Sequence, residues 1–217
     1  MTMDKYKYII FDFDMTLVDT ELGSIYSYEK AITKAGGEFN KEQISVYMSE
    51  FLNKTYERIR NPLISEQEFE EEFYFYSHKK MATMSILFPE VKKVLSELSK
   101  THILAIVTNK DMLCINQIIK HHKIDPSMFR CIISCDDVTK RKPDPQGLEL
   151  CMSKIGATPD KCVYVGDSIN DLIFAENACV KGIRVVRDRD RLPNDNIIYD
   201  LSALMVEGDS IEKLGNQ

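Results

Sequence analysis

The chain has 217 residues, of which 44% are hydrophobic and 29% are charged, the balance of an ordinary globular protein. This length fits one large domain, or one domain that carries a smaller insertion. The formal net charge of −6 provides no basic field to hold a nucleic-acid backbone, so an anionic substrate would need a local cluster of positive charge or a metal.

The sequence shows neither a targeting segment nor a membrane span. Residues 1–5 are polar and lead directly into a strand, and no apolar run approaches the ~18 residues that a membrane helix needs. The six cysteines include no CxxC pair, which favours reduced thiols over a zinc site or disulfides. We therefore expect a cytoplasmic protein that binds neither a membrane nor nucleic acid.

The predicted elements change character along the chain. A buried strand at 6–13 comes first, and the stretch 21–84 is helical, with apolar residues such as Ile25, Tyr28 and Ile32 at helical spacing. After Phe88, helices and strands alternate. The predicted helices are 89–98, 112–121, 145–155 and 172–180, and the predicted strands are 103–107, 131–134, 162–165 and 183–186.

This order of elements predicts the fold class. Strands that alternate with helices of this length are typical of an α/β protein, with a Rossmann-like parallel sheet and helices on both of its faces. The helical stretch breaks the alternation, so we interpret it as an inserted all-helical cap domain. The predicted domains are residues 1–17 and 85–217 for the α/β core and 18–84 for the cap.

Acidic residues follow the predicted strands at the points where the strands end. Asp12 and Asp14 are two residues apart in a strand and therefore point to the same side. In an open parallel sheet the carboxyl ends of the strands form the ligand crevice. The side chains that one crevice could collect are Asp12, Asp14, Thr108, Lys142, Asp167 and Asp171. Several carboxylates in a small space repel one another unless a cation lies among them, and oxygen ligands suit Mg²⁺.

Four segments, in this order, resemble the motifs of the haloacid dehalogenase superfamily. They are Asp12-Phe13-Asp14-Met15-Thr16, Thr108-Asn109, Lys142-Pro143-Asp144-Pro145 and Gly166-Asp167-Ser168-Ile169-Asn170-Asp171. The similarity is to the phosphatase and phosphomutase branch with an inserted helical cap, whose members include phosphoglycolate phosphatase-like and beta-phosphoglucomutase-like enzymes. It covers the chain from Phe11 to about Leu201. One departure is Met15, which stands where glycine is common in the family.

The resemblance implies a role for each matching residue. Asp12 would be the nucleophile that forms an aspartyl-phosphate, and Asp14 would be the general acid and base. Lys142 would neutralise the nucleophile and the phosphate, while Thr108 and Asn109 would hold phosphate oxygens. The implied metal ligands are Asp12, Asp14 (through its backbone carbonyl) and Asp167, with Asp171, Ser168 and Thr16 in support. Ser168 and Asp171 also fit a helix-capping box, and both roles can coexist.

Taken together, these roles predict a Mg²⁺-dependent hydrolase of small-molecule phosphate monoesters. Two alternatives remain open: a sugar phosphomutase that returns the phosphoryl group to a second hydroxyl, and a non-catalytic protein that binds a phosphorylated metabolite. The second acid, Asp14, argues against the dehalogenase branch and against a pure binder. In the predicted cap, Arg58 and Arg60 are candidates to grip a second anionic group of the substrate. We expect a small phosphorylated metabolite as the partner, and a monomer or weak dimer.

Overall fold

The structure, a computed structural model, describes residues 3–187 and 196–205. Within these ranges the strands are β1 (Tyr8–Phe11), β2 (Val18–Asp19), β3 (Ile86–Leu87), β4 (Ile103–Val107), β5 (Phe129–Ile133), β6 (Cys162–Gly166), β7 (Lys181–Val185) and β8 (Ile197–Ile198). The α-helices there are α1 (Glu21–Lys34), α2 (Ile44–Ser49), α3 (Leu52–Glu57), α4 (Glu66–Met84), α5 (Val91–Leu98), α6 (Met112–His122), α7 (Gln146–Ile155) and α8 (Ile169–Asn177).

The main sheet of the described residues has the strand order β5-β4-β1-β6-β7-β8, and each neighbouring pair is parallel. Tyr8 of β1 pairs with Ile103 on one side and with Cys162 on the other. The strand order therefore reverses direction at β1. The carboxyl ends of β4, β1 and β6 lie side by side at this switch point, which is the ligand position in open α/β sheets.

The central strands are apolar along their whole length because both of their faces are buried. All four residues of β1 are buried, and so are all five of β6. Helices α7 and α8 cover one face, where Leu148 and Phe174 are fully buried in a cluster with Ile10, Val107 and Tyr164. This packing supports the strands whose ends carry the polar motif residues.

The predicted parallel α/β class with an inserted helical segment is confirmed. Several details differ from the sequence prediction, including the unpredicted short strands β2 and β3 and shifts of a few residues in most element bounds. The first strand ends at Phe11 rather than Phe13, although the Asp12 backbone N still donates to the Val165 carbonyl (2.8 Å). The prediction also missed β8, because two residues are too short to show an alternating pattern; Arg184 and Val185 of β7 pair with it at the sheet edge.

The chain divides into two compact units. The first contains the described parts of Met1–Val18, Leu87–Met112 and Ile124–Gln217, and it holds the main sheet. The second contains Asp19–Ile86 together with Leu113–Lys123, which is most of α6. The sequence prediction had placed that helix with the α/β core, and the domain boundaries themselves remain a prediction.

The second unit has its own apolar core, built mainly from aromatic and aliphatic side chains of α1 to α4. Its buried members are Tyr28, Ala31, Ile32, Ala35, Ile44, Tyr47, Leu52 and Phe69. Helices α1 and α4 approach closely at Gly23, where an added Cβ would lie 3.1 Å from the Met81 Cα. Among the described residues, no helix combines the length and the apolar character that crossing a membrane requires.

Candidate active site

The predicted site residues of the α/β unit lie together at the carboxyl ends of the central strands. Asp12 directly follows β1, Thr108 directly follows β4, and Asp167 directly follows β6. Because these three strands are neighbours and parallel, their ends place residues from distant parts of the sequence together. Asp12 and Thr108 are buried, with 5% and 4% of their surfaces exposed.

Lys142 connects the acidic residues of this site. Its Nζ donates to Oδ1 of Asp12 (2.7 Å) and to Oδ1 of Asp171 (2.8 Å). The side chain of Lys142 is 11% exposed, whereas that of Lys140 is 70% exposed and pairs with Asp144. Lys142 is therefore the buried cation, while its neighbour Lys140 lies on the surface; the catalytic role of Lys142 stays a prediction.

Asp171 uses its two carboxylate oxygens for two different purposes. Oδ1 accepts the hydrogen bond from Lys142, while Oδ2 accepts from the Ser168 backbone N (3.0 Å) and the Ser168 Oγ (2.6 Å). The Ser168 Oγ in turn accepts from the Asp171 backbone N, which completes a capping box at the start of α8. An added Cβ at Gly166 would lie 2.6 Å from Asp171 Oδ2, so glycine is needed there.

The clustered charges perturb one another strongly. Burial, together with the neighbouring Asp171 and Asp167 carboxylates, raises the pKa of Asp12 to about 8 against the opposing pull of Lys142. Burial and the charge of Asp171 also raise the pKa of Asp167 to about 6. Burial opposes ionisation of Asp171 as well, but Lys142 and the Ser168 hydrogen bonds outweigh it and lower its pKa.

Lys142 is held as a cation in the same network. Burial alone would lower the pKa of its ammonium, but the charges of Asp12 and Asp171 raise that pKa well above its ordinary value. One buried ammonium faces at least three carboxylates in this network. The site therefore carries excess negative charge.

This excess suits a divalent cation. One carboxylate oxygen from each of Asp12, Asp167 and Asp171 lies within 4.8 Å of the other two. Oxygen donors of this type are those that Mg²⁺ prefers. A cation among them would offset the burial and the mutual repulsion that raise the pKa of Asp12 and Asp167. The residues present therefore fit a magnesium ion.

Asp14 has a different partner from Asp12. Its Oδ1 lies 3.1 Å from the Nζ of Lys110, whose side chain is 10% exposed. The turn that carries Asp14 also contains Met15 at a φ of 56°, in the left-handed region that favours glycine. This backbone conformation explains why the family pattern has glycine at that position.

The supporting residues from the sequence prediction also lie in the site. The Thr16 Oγ1 donates to Oδ1 of Asp167 (3.4 Å), and the Thr108 Oγ1 accepts from the Lys110 backbone N (3.3 Å). Asn109 is exposed, and its Oδ1 accepts from the Lys142 backbone N (3.0 Å). Asn109 thus fixes the loop that carries the lysine.

Sequence reasoning missed three residues that contact the site. Lys110 pairs with Asp14, the Tyr164 hydroxyl accepts from the Lys142 Nζ (3.1 Å), and the Arg184 Nε donates to the Asp167 carbonyl (2.7 Å). Lys110 could have been found from its place next to Thr108 and Asn109. Arg184 was signalled by its charge in an apolar strand, whereas nothing in the local pattern marks Tyr164.

Arg58 and Arg60 belong to the second unit. With Gly37, Tyr47 and Thr55 among the other lining residues, they surround a cavity of about 440 Å³. The guanidinium of Arg58 also pairs with the carboxylate of Glu50, with Nη2 2.6 Å from Oε2. Their proposed contact with substrate remains a prediction.

Comparison with protein families identifies the chain. The family model described as haloacid dehalogenase-like hydrolase matches residues 9–185, which span the four motifs and most of the sheet. The chain belongs to this hydrolase family. The assignment agrees with the positions of Asp12, Lys142 and Asp167, which lie together at the carboxyl ends of the central strands.

Individual relatives are similar over most of their length. The chain is 30% identical over 183 residues to the pyrophosphatase PpaX of Bacillus velezensis, covering 83% of each protein. It is 32% identical over 178 residues to a phosphoglycolate phosphatase of Photorhabdus laumondii, covering 78% of this chain and 76% of that protein. A solved structure named as a haloacid dehalogenase-like hydrolase from Bacteroides fragilis has a TM-score of 0.82 at 27% identity, covering 92% of this chain and 99% of that one.

These likenesses confirm the coarse prediction of function. The chain is a phosphatase-type hydrolase of the haloacid dehalogenase-like family, and its fold is the one expected from the four motifs. Divalent-metal use is a general property of this family, and the acidic cluster of this chain is suited to it.

Proposed function

We propose that this enzyme hydrolyses small phosphate monoesters in two steps, through a phosphoryl group carried on Asp12, and that it requires Mg²⁺. The observation that carries the proposal is the pairing of Asp12 Oδ1 with Lys142 Nζ at 2.7 Å, beside the carboxylates of Asp167 and Asp171. A buried carboxylate next to a buried cation at a ligand crevice is suited to attack on a phosphorus atom.

In the first step, an Asp12 carboxylate oxygen attacks phosphorus, and the ester bond to the leaving oxygen breaks. Asp14 gives a proton to that oxygen, so the product leaves as an alcohol. Lys142 stabilises the negative charge on the transferred group, and Thr108 donates a hydrogen bond to one of its oxygens. All four residues lie in the same unit of the chain and come from three separate segments of it.

In the second step, Asp14 takes a proton from a water molecule, which attacks phosphorus and releases phosphate from Asp12. Asp12, Asp167 and the Asp14 carbonyl would hold the magnesium ion, with Asp171 nearby. When bound, the ion supplies positive charge that offsets the phosphoryl oxygens and the clustered carboxylates. Arg184 holds the loop of Asp167 through its backbone carbonyl.

The names of the relatives narrow the substrates worth testing. Pyrophosphate and phosphoglycolate each combine a phosphoryl group with a second anionic group, and the chain is about equally similar to proteins named for each. A cation such as Lys110, Arg58 or Arg60 could bind that second group. We therefore propose a small phosphate monoester that carries a second anionic group, in a cytoplasmic setting; pyrophosphate, which is a phosphoanhydride, is the alternative substrate.

The test is a panel of substrates assayed with and without Mg²⁺. It contains p-nitrophenyl phosphate, phosphoglycolate, pyrophosphate and a sugar phosphate, with released phosphate as the readout. We expect phosphate release that needs Mg²⁺ and that Asp12→Asn lowers by at least about a thousandfold, since the nucleophile is lost while its shape is kept. Mass spectrometry of acid-quenched wild-type enzyme should detect the phosphoryl adduct on Asp12.

Several outcomes would contradict this proposal. Wild-type-like turnover by Asp12→Asn would exclude Asp12 as the nucleophile. Isomerisation of a sugar phosphate without phosphate release, followed by NMR, would support a phosphomutase instead. Tight binding of a phosphorylated metabolite without any turnover would indicate a non-catalytic binder.

A further inference from the structure

Tyr164 is a buried residue of β6 that neither the motifs nor the proposed mechanism uses. Its side chain is fully buried, and its hydroxyl lies among three groups of the site. It accepts from the Lys142 Nζ (3.1 Å), donates to the Val107 carbonyl (2.9 Å) and lies 3.4 Å from Asp171 Oδ1. A buried hydroxyl with a cation on one side and a carbonyl on the other has a defined orientation.

That orientation has a direct consequence for Lys142. The single proton of the Tyr164 hydroxyl points to the Val107 carbonyl, the closer of its two acceptors, so the oxygen lone pairs face the ammonium. An ammonium has three N–H donors, and among the described residues those of Lys142 have three acceptors: Asp12, Asp171 and Tyr164. Tyr164 is the neutral member of this set and completes a three-point support.

The aromatic surroundings strengthen this support. The Lys142 Nζ lies 5.7 Å from the ring centroid of Tyr164 and 5.9 Å from that of Phe174, and the two rings meet edge to face. Val107, the acceptor of the tyrosine proton, directly precedes Thr108. One hydroxyl therefore links β6, the end of β4 and the lysine.

We infer that Tyr164 is a positioning residue, whose hydroxyl holds the Lys142 ammonium against Asp12 and ties it to the end of β4 next to Thr108. This inference rests on the proposed function, in which Lys142 stabilises the charge of the transferred group. Without the hydroxyl, the ammonium keeps its charge but loses one of three supports, and the Val107 carbonyl loses a buried donor. The transition state, which needs the most exact placement, is affected more than binding.

The test is Tyr164→Phe, which keeps the ring and removes only the hydroxyl. Tyr8→Phe is the matched control, because Tyr8 lies on neighbouring β1, is buried, and donates from its hydroxyl to the Gly156 carbonyl (3.2 Å) away from the site. We expect Tyr164→Phe to lower kcat about tenfold with KM changed by less than about twofold. Tyr8→Phe should leave both parameters close to wild type.

A second readout needs no turnover. A buried, hydrogen-bonded lysine ammonium exchanges slowly with water, so its ¹H–¹⁵N signal can be observed and assigned to Lys142 by its absence in Lys142→Arg. We expect Tyr164→Phe to shift or broaden this signal and Tyr8→Phe to leave it unchanged. This readout decides the role of Tyr164 even if the wild-type enzyme shows no phosphatase activity, an outcome that would contradict the proposed function separately.

Two results would overturn the inference. One is an unchanged kcat together with an unchanged ammonium signal in Tyr164→Phe. The other is an equal loss of kcat in Tyr164→Phe and Tyr8→Phe, accompanied by equal falls in unfolding temperature, because the effect would then come from general destabilisation.

Discussion

The ion-pair network of Lys142 in the α/β unit and the ion pair of Lys54 in the helical unit have opposite environments. In the α/β unit, Lys142 is 11% exposed and pairs with Asp12 and Asp171, whose side chains are 7% and 4% exposed. In the helical unit, Lys54 and Glu57 form an ion pair of similar length, 2.9 Å, but each side chain is 54% exposed. The difference shows that distance alone does not determine what an ion pair contributes.

The physical reason is solvation. Water and salt screen the exposed pair of Lys54 and Glu57, so breaking it leaves two hydrated charges. In the buried network, each charge depends on its protein partners, and the pKa of Asp12 rises to about 8 because compensation is incomplete. Because its negative charge is not fully compensated, the buried network favours the binding of a cation, and that cation would in turn offset the charge of an anionic substrate.

Among the changes in stability, we expect the largest for Lys142→Met. This change leaves two buried carboxylates without their cation, so we expect the free energy of unfolding to fall by about 3 kcal/mol in metal-free buffer. Lys54→Met, the matched change in the exposed pair, should alter it by less than about 0.5 kcal/mol. Denaturant unfolding measures both, and equal losses in the two variants would contradict the distinction between the regions.

A smaller effect of opposite sign is expected for Asp167→Asn. The pKa of Asp167 is raised from 3.8 to about 6 in the folded chain, so ionisation costs stability as the pH rises through this interval, and the cost is complete above it. Asparagine removes that cost. We expect the metal-free variant to be more stable than wild type by about 2 kcal/mol near pH 8, a gain that disappears toward pH 4.

To test Asp167→Asn, the unfolding of the variant and of the wild type is measured between about pH 4 and pH 8, first with EDTA and then with Mg²⁺. Added Mg²⁺ should raise the unfolding temperature of the wild type more than that of the variant. Glu71→Gln, at an exposed position of α4, is the control and should change neither the pH dependence nor the response to Mg²⁺. A variant that is less stable than wild type at pH 8 without metal would show that ionisation of Asp167 does not destabilise the folded chain.

The smallest change in stability is expected when the capping serine of a helix is replaced, and two capping boxes allow a comparison. Ser168 with Asp171 begins α8, and Ser65 with Glu68 begins α4. Replacing either serine by alanine should cost about 1 kcal/mol of stability, because each loses an equivalent cap. Only Ser168→Ala should also lower kcat, by about threefold, since Asp171 is the residue that supports Lys142. A similar fall in kcat for Ser65→Ala would remove the distinction.

Much of the site was predictable because its residues follow strands that the sequence makes recognisable. The apolar run at β1 and the two acids after it, or the run at β6 followed by Asp167, are local patterns of burial. The four ordered motifs then predicted which polar residues meet. The prediction failed where local signals were weak, as for the two-residue strand β8.

Other features could not be predicted because they depend on contacts over long sequence separations. The Asp12–Lys142 bond joins residues 130 positions apart, and the Tyr164–Val107 bond joins residues 57 apart. Tyr164 is one of several buried aromatic residues, and only its neighbours in space distinguish it from the others.

The sequence by itself determined the alternation of strands and helices, the acids at the strand ends and the family. These follow from side-chain periodicity and burial, which act over a few neighbouring residues. The tertiary structure decided which strands are adjacent, which of the basic residues 140–142 is buried, and which hydroxyl supports it. Those outcomes depend on the desolvation of each charge and on its partners, and both exist only once distant segments have packed together.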